Sequence, residues 1–99
     1  MEKTYASYEQ TKVLVAALLE KGTSITIFDE EGDVAIFGST NCNDIMLEIG
    51  ASDMETLSVK LGDKCVASIQ LVHEYGGKSS INDYSVSDSE IKQILEQMI

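Results

Sequence analysis

Arginine and proline are both absent from this chain, histidine occurs once and cysteine twice. No run of apolar residues is long: the longest, Val13 to Leu19, is bracketed by Lys12 and Glu20. Each scarcity excludes something. Arginine holds phosphate best, through a two-pronged hydrogen bond, so its absence argues against direct nucleic-acid binding. Without proline or a low-complexity linker there is no sign of an internal boundary, and residues 1–99 are expected to form a single compact domain. A membrane span needs roughly 18 consecutive apolar residues, which the chain does not contain. The N-terminal residues lack the charged-then-apolar order of a signal peptide, and the expected location is cytoplasmic.

The two cysteines, Cys42 and Cys65, belong to no C-x-x-C pair, so a zinc or thioredoxin-like site has no support. Both fall on apolar faces and are expected to be core thiols. The GKS of His73-Glu74-Tyr75-Gly76-Gly77-Lys78-Ser79-Ser80 lacks the first glycine of a phosphate loop, since Val72 stands where that glycine belongs. Gly76-Gly77 is expected to turn the chain. No G-x-S-x-G elbow occurs. His73 lies eight residues from Cys65 along one strand, roughly 27 Å at strand rise, so those two cannot form a nucleophilic pair. Cys42 could approach it only through the fold. The expectation for His73 is a half-exposed polar tip; the enzymatic alternative is a small enzyme that uses it as a base.

What the chain does have is negative charge. Seventeen carboxylates face seven lysines, for a net charge of −10. Such a balance keeps a small protein soluble, and it also attracts basic partners. The densest cluster is Asp29, Glu30, Glu31 and Asp33. Counted from Asp29, the sixth position is Val34 and the twelfth Thr40, where an EF-hand requires glycine and glutamate. An EF-hand is thereby excluded, and at most a weak surface cation site would remain. No cofactor is expected. Tyr5, Tyr8, Tyr75 and Tyr84 carry the apolar body and polar tip favoured at interfaces. The candidate partner-binding set is Asp29, Glu30, Glu31, Asp33, Tyr75, Asp83 and Tyr84.

The 43% hydrophobic fraction is ordinary for a globular chain and has a clear pattern. Ser7 and Gln10 make a capping box, followed by Tyr8, Thr11, Val15 and Leu18 at helical spacing, with Gly22 as the stop. SITIF and DVAIFG around Asp29–Gly32 read as a hairpin. Cys42, Ile45, Met46 and Ile49 form one stripe of a short helix closed by Gly50. Ser52 with Glu55 reads as a further capping box, a single helical turn. Leu57, Val59 and Leu61 alternate with polar residues, and Cys65, Ala67, Ile69 and Leu71 answer them across a turn at Gly62-Asp63-Lys64. Ser79 to Ser85 reads as a polar, turn-rich loop. Ser87 with Glu90 caps a last helix striped by Ile91, Ile94, Leu95 and Met98, whose burial would contribute roughly 6–12 kcal/mol gross.

The expected fold is α+β: helix, hairpin, helix, hairpin, helix, with a mainly antiparallel four-stranded sheet and helices packed on one face. The expected function is a non-enzymatic protein-binding module, an inhibitor whose carboxylates stand in for phosphates at the basic site of a nucleic-acid-binding protein or defence complex. A homodimeric structural or assembly protein is the alternative, because hairpins leave exposed edges.

Overall fold

Helix α1 (Tyr8–Glu20) ends where its apolar stripe meets Gly22, which takes a positive φ of 83°. The last carbonyls find donors beyond the helix. Lys21 and Gly22 donate N–H groups to Leu18 and Leu19, and the buried Thr23 hydroxyl donates to Leu18 at 2.7 Å. These bonds satisfy acceptors that a helix end leaves open. The chain then enters strand β2 (Ser24–Phe28), turns, and returns as β3 (Val34–Ser39). Helix α2 (Cys42–Glu48) follows, capped by Asn41, whose side chain accepts from the Asp44 N–H.

In this computed structural model, which describes residues 4–74 and 78–98, the sheet has more strands than the sequence pattern suggests. Strands β4 (Met54–Leu61), β5 (Lys64–Glu74) and β6 (Lys78–Val86) form a meander. With β2 and β3 they make five antiparallel strands, and the short β1 (Thr4–Ser7) adds a sixth at the edge. The spatial order is β1-β6-β5-β4-β2-β3. The fold class is α+β as expected. The four-stranded helix–hairpin description is corrected: β1 precedes the first helix, and the supposed loop at Ser79–Ser85 is strand β6.

An extra residue hid β6. Gln70 pairs with Asp83 but Leu71 pairs with Ile81, so Asn82 is inserted without a partner. Both Asn82 and Asp83 are exposed, and the insertion brings Ile81, Tyr84 and Val86 to the core side despite their uneven spacing. A similar insertion corrects the reading of Cys65. Lys60 pairs with Cys65 and Val59 with Ala67, which leaves Val66 between them. Val66 and Ala67 are both buried, and Cys65 is displaced to the surface, while Cys42 stays half-buried against the core.

The core lies between one face of the sheet and the three helices. Leu14, Val15 and Leu18 of α1 and Ile45 and Met46 of α2 meet Ile25, Ile27, Leu57, Val59, Ile69 and Leu71 of the strands. Helix α3 (Ser89–Met98) adds Ile91 and Leu95, so it docks as its stripe predicts. Its N-cap, however, is Asp88 and not Ser87: one Asp88 carboxylate oxygen accepts from the N–H groups of Glu90 and Ile91. Ser87 instead continues the sheet edge, its N–H donating to Val66. A carboxylate also suits the positive end of the helix dipole.

Candidate functional site

Sheet register places the acidic hairpin. Phe28, Thr56, Gln70 and Asp83 lie on one rung across β2, β4, β5 and β6. The tip at residues 29–33 therefore projects from the sheet end where β4 begins and β5 finishes. Asp53 lies at the same end, and its carbonyl accepts from the His73 N–H at 2.8 Å. Glu48 closes α2 nearby, its carbonyl accepting from Ala51. Between Lys21 and Lys60 the chain has eight carboxylates (Asp29, Glu30, Glu31, Asp33, Asp44, Glu48, Asp53 and Glu55) and no lysine. The part of the fold built from β2, β3, α2 and the start of β4 is thus uniformly negative. Lys21, Lys60 and Lys64 gather at the opposite sheet end, where Lys21 meets Glu90 at 3.6 Å.

The tip is a structured loop. Asp29 donates its N–H to Asp33 and accepts from Gly32, which takes φ 87° as such a turn requires. One Asp29 carboxylate oxygen accepts from the N–H groups of both Glu31 and Asp33, each at 2.9 Å. Asp29 therefore holds the loop, a different role from that of its neighbours. Glu30, Glu31 and Asp33 are exposed. Among the described residues, no group of three or more His, Cys, Asp or Glu converges as ion ligands would. Substituting Asp29 with alanine is expected to lower stability by about 1–2 kcal/mol, because two backbone donors lose their charged acceptor. Glu30→Gln should leave the urea midpoint unchanged, and equal losses for the two would show that Asp29 is not the loop's support.

Beneath this end lies a pair that sequence reasoning missed. Glu55 is in β4, not a helical turn, and its side chain is 1% exposed. The presumed cap Ser52 donates its hydroxyl to the Met54 carbonyl instead. Glu55 Oε1 accepts the Gly50 N–H at 2.8 Å and lies 2.6 Å from His73 Nε2. The two atoms share one hydrogen bond, whose donor is set by the imidazole tautomer. His73 is not a half-exposed tip: its side chain is 13% exposed. The only sequence signal for Glu55 was its place on the inward phase of β4, in step with Leu57 and Val59.

The remaining candidates do not gather into one site. Asp83 is exposed on the sheet face away from the helices, where its carboxylate accepts its neighbour's N–H, whereas Tyr84 packs against the core on the helix side. About three strand spacings, on the order of 14 Å, separate Asp83 from β2. Tyr75, like Gly76 and Gly77, lies outside the described residues. Strand β6 begins at Lys78, so no helix follows the GKS as a phosphate loop would need. Cys42 opens α2, whereas His73 joins the far end of that helix through Glu55 and Gly50, roughly 10 Å of helix away. Two shallow depressions of about 250 and 190 Å³ open on the sheet, lined around Ser68, Ser85 and Gln70, and His73 lines neither. No helix among the described residues is long and apolar enough to cross a membrane.

This geometry defines a small α+β protein with an acidic sheet end and a buried carboxylate–imidazole pair beneath it. Comparison with family profiles, with curated proteins and with solved structures finds no match.

Proposed function

We propose that this protein is a non-enzymatic binding module that presents the acidic sheet end to a basic protein, in the manner of an inhibitor standing in for nucleic-acid phosphate. One observation carries the reading: eight carboxylates and no lysine between Lys21 and Lys60, with Glu30, Glu31, Asp33 and Asp53 exposed at one end of a sheet that has Lys60 and Lys64 at the other, while Lys78, at the acidic end, sits in β6 opposite Glu74, three strands from β2. A one-signed patch accelerates encounter with an oppositely charged surface and disfavours like-charged partners. The rigid Asp29-supported loop lowers the ordering cost of binding. Nothing in the pair Glu55–His73 requires turnover: the carboxylate is buried and occupied by the chain's own Gly50 N–H and imidazole.

Capture from a nuclease-treated bacterial lysate tests the reading. Proteins retained at 50 mM salt should be released at about 0.5 M salt and also by duplex DNA, which competes for the same basic sites. The double substitution Glu30→Lys/Glu31→Lys should lower retention about tenfold or more, since it replaces two negative charges with two positive ones at the tip. Retention indifferent to salt, to DNA and to this substitution would sink the proposal.

A further inference from the structure

The end of the sheet beside the acidic tip has an unusual edge. Strand β3 is last in the order, with no strand beside it among the described residues. Of the devices that blunt such an edge, it has only one. Natural edge strands are blunted by charges, proline, short length, a covering element or bulges. From Val34 to Asn43 there is no charged residue and no proline. Six residues is an ordinary strand length, spanning roughly 20 Å. Helix α2 packs near β3 but leaves it uncovered: Val34 is 51% and Phe37 76% exposed. Only bulges remain. Register shifts separate the pairs Phe28–Val34, Ile27–Ile36 and Ile25–Ser39, and they increase the strand's twist without filling its edge.

We infer that the β3 edge takes an extended, basic segment of the partner protein as a seventh strand. Main-chain hydrogen bonds along an open edge supply affinity, and side chains on alternate positions supply specificity. Val34 and Phe37 offer apolar contact to such a segment, which therefore needs apolar residues at alternate positions. Its flank at the Val34 end meets Glu30, Glu31 and Asp33 and must be lysine or arginine, whereas the Ser39 end faces Asp44 of α2 at the sheet end that also holds Lys21 and Lys60 and sets no charge requirement. The same charges oppose a second copy: pairing two β3 edges would bring two lysine-free, negative halves together. This inference rests on the acidic-end reading for its charge argument and adds the edge as an independent contact.

Three labelled decapeptides serve as probes in fluorescence anisotropy: one alternating valine and threonine with two lysines at each end, its glutamate-ended twin, and its twin with alternate backbone nitrogens methylated. The lysine-ended peptide should bind, with affinity falling at least about tenfold on methylation, in the glutamate-ended form and against Phe37→Lys. Circular dichroism of Phe37→Lys should match the parent, because the replaced side chain is exposed. Methylation without effect would overturn the seventh-strand geometry, and so would absence of binding. Self-association in the absence of peptide, abolished by Phe37→Lys, would assign the edge to a second copy and overturn the proposal. Lysate capture that is lost with Glu30→Lys/Glu31→Lys but kept with Phe37→Lys leaves the acidic end standing and removes the edge. Peptide binding that is sensitive to methylation and to Phe37→Lys, but indifferent to the peptide's end charges, keeps the edge and removes the acidic end.

Discussion

Replacing His73 with alanine is expected to destabilise the fold by about 3–5 kcal/mol, because it strands a buried carboxylate. Glu55 is 1% exposed, and its second oxygen, Oε2, has no hydrogen-bond partner among the described residues. Its compensation therefore rests on Oε1, held by the imidazole and the Gly50 N–H. With a total stability of about 5–15 kcal/mol for a domain of this kind, such a loss is large. The urea midpoint should fall by about 2 M, given a slope of about 1–3 kcal/mol per molar. The double variant Glu55→Leu/His73→Leu should recover much of the loss, since it removes both the charge and its partner. It leaves the Gly50 N–H without its carboxylate acceptor, at an exposed residue where water can take that place. A single-variant loss under about 1 kcal/mol, or a double variant as unstable as the sum of the singles, would show that the pair is not coupled.

The companion expectation concerns α3. Leu95 is wholly buried on a helix that packs against α1 and β6, so Leu95→Ala should cost about 2–5 kcal/mol, from lost transfer energy plus the cavity left behind. Leu47 also lies on a helix, α2, yet is 78% exposed. Leu47→Ala should change stability by no more than about 0.5 kcal/mol. Denaturation of the two variants side by side makes the comparison. If Leu95→Ala leaves the midpoint in place, α3 is not part of the cooperative core. If Leu47→Ala lowers it as much as Leu95→Ala, the exposed face of α2 is covered in solution by something other than water.

Where the hydrophobic period was uninterrupted, local pattern and fold agreed. The stripes of α1, α2 and α3 and the alternation of Leu57 and Val59 each mark the side that is buried. The failures have one cause in common. An inserted residue shifts the phase of a strand by one, and a period-two reading then assigns side chains to the wrong face. That happened at Val66, which sent Cys65 outward, and at Asn82, which disguised β6 as a loop. Strand β1 was missed for another reason: four residues carry too little pattern, and its pairing with β6 depends on a strand that was itself disguised. Asp88 was missed as a cap because Ser87, one residue earlier, completes the commoner box motif while its backbone is engaged by Val66.

The acidic site divides in the same way. Its composition was legible, because charge is additive and needs no partner: the cluster at 29–33 and the lack of arginine are plain in the chain. The division of labour within it was not. Asp29 and Glu31 are chemically similar in sequence, but only the loop's closure turns the Asp29 carboxylate back onto two amides. Glu55 and His73, 18 positions apart, meet only because β4 and β5 pair in one register and the end of α2 delivers the Gly50 N–H.

By itself, then, the chain determined its class of fold, the inward faces of its helices and its negative sign, since these follow from local periodicity and a sum of charges. Tertiary structure alone decided which carboxylates face outward at one sheet end, which is buried against histidine, and that β3 is left as an open edge. Those outcomes depend on strand order and register, and both are set by contacts between residues far apart in sequence.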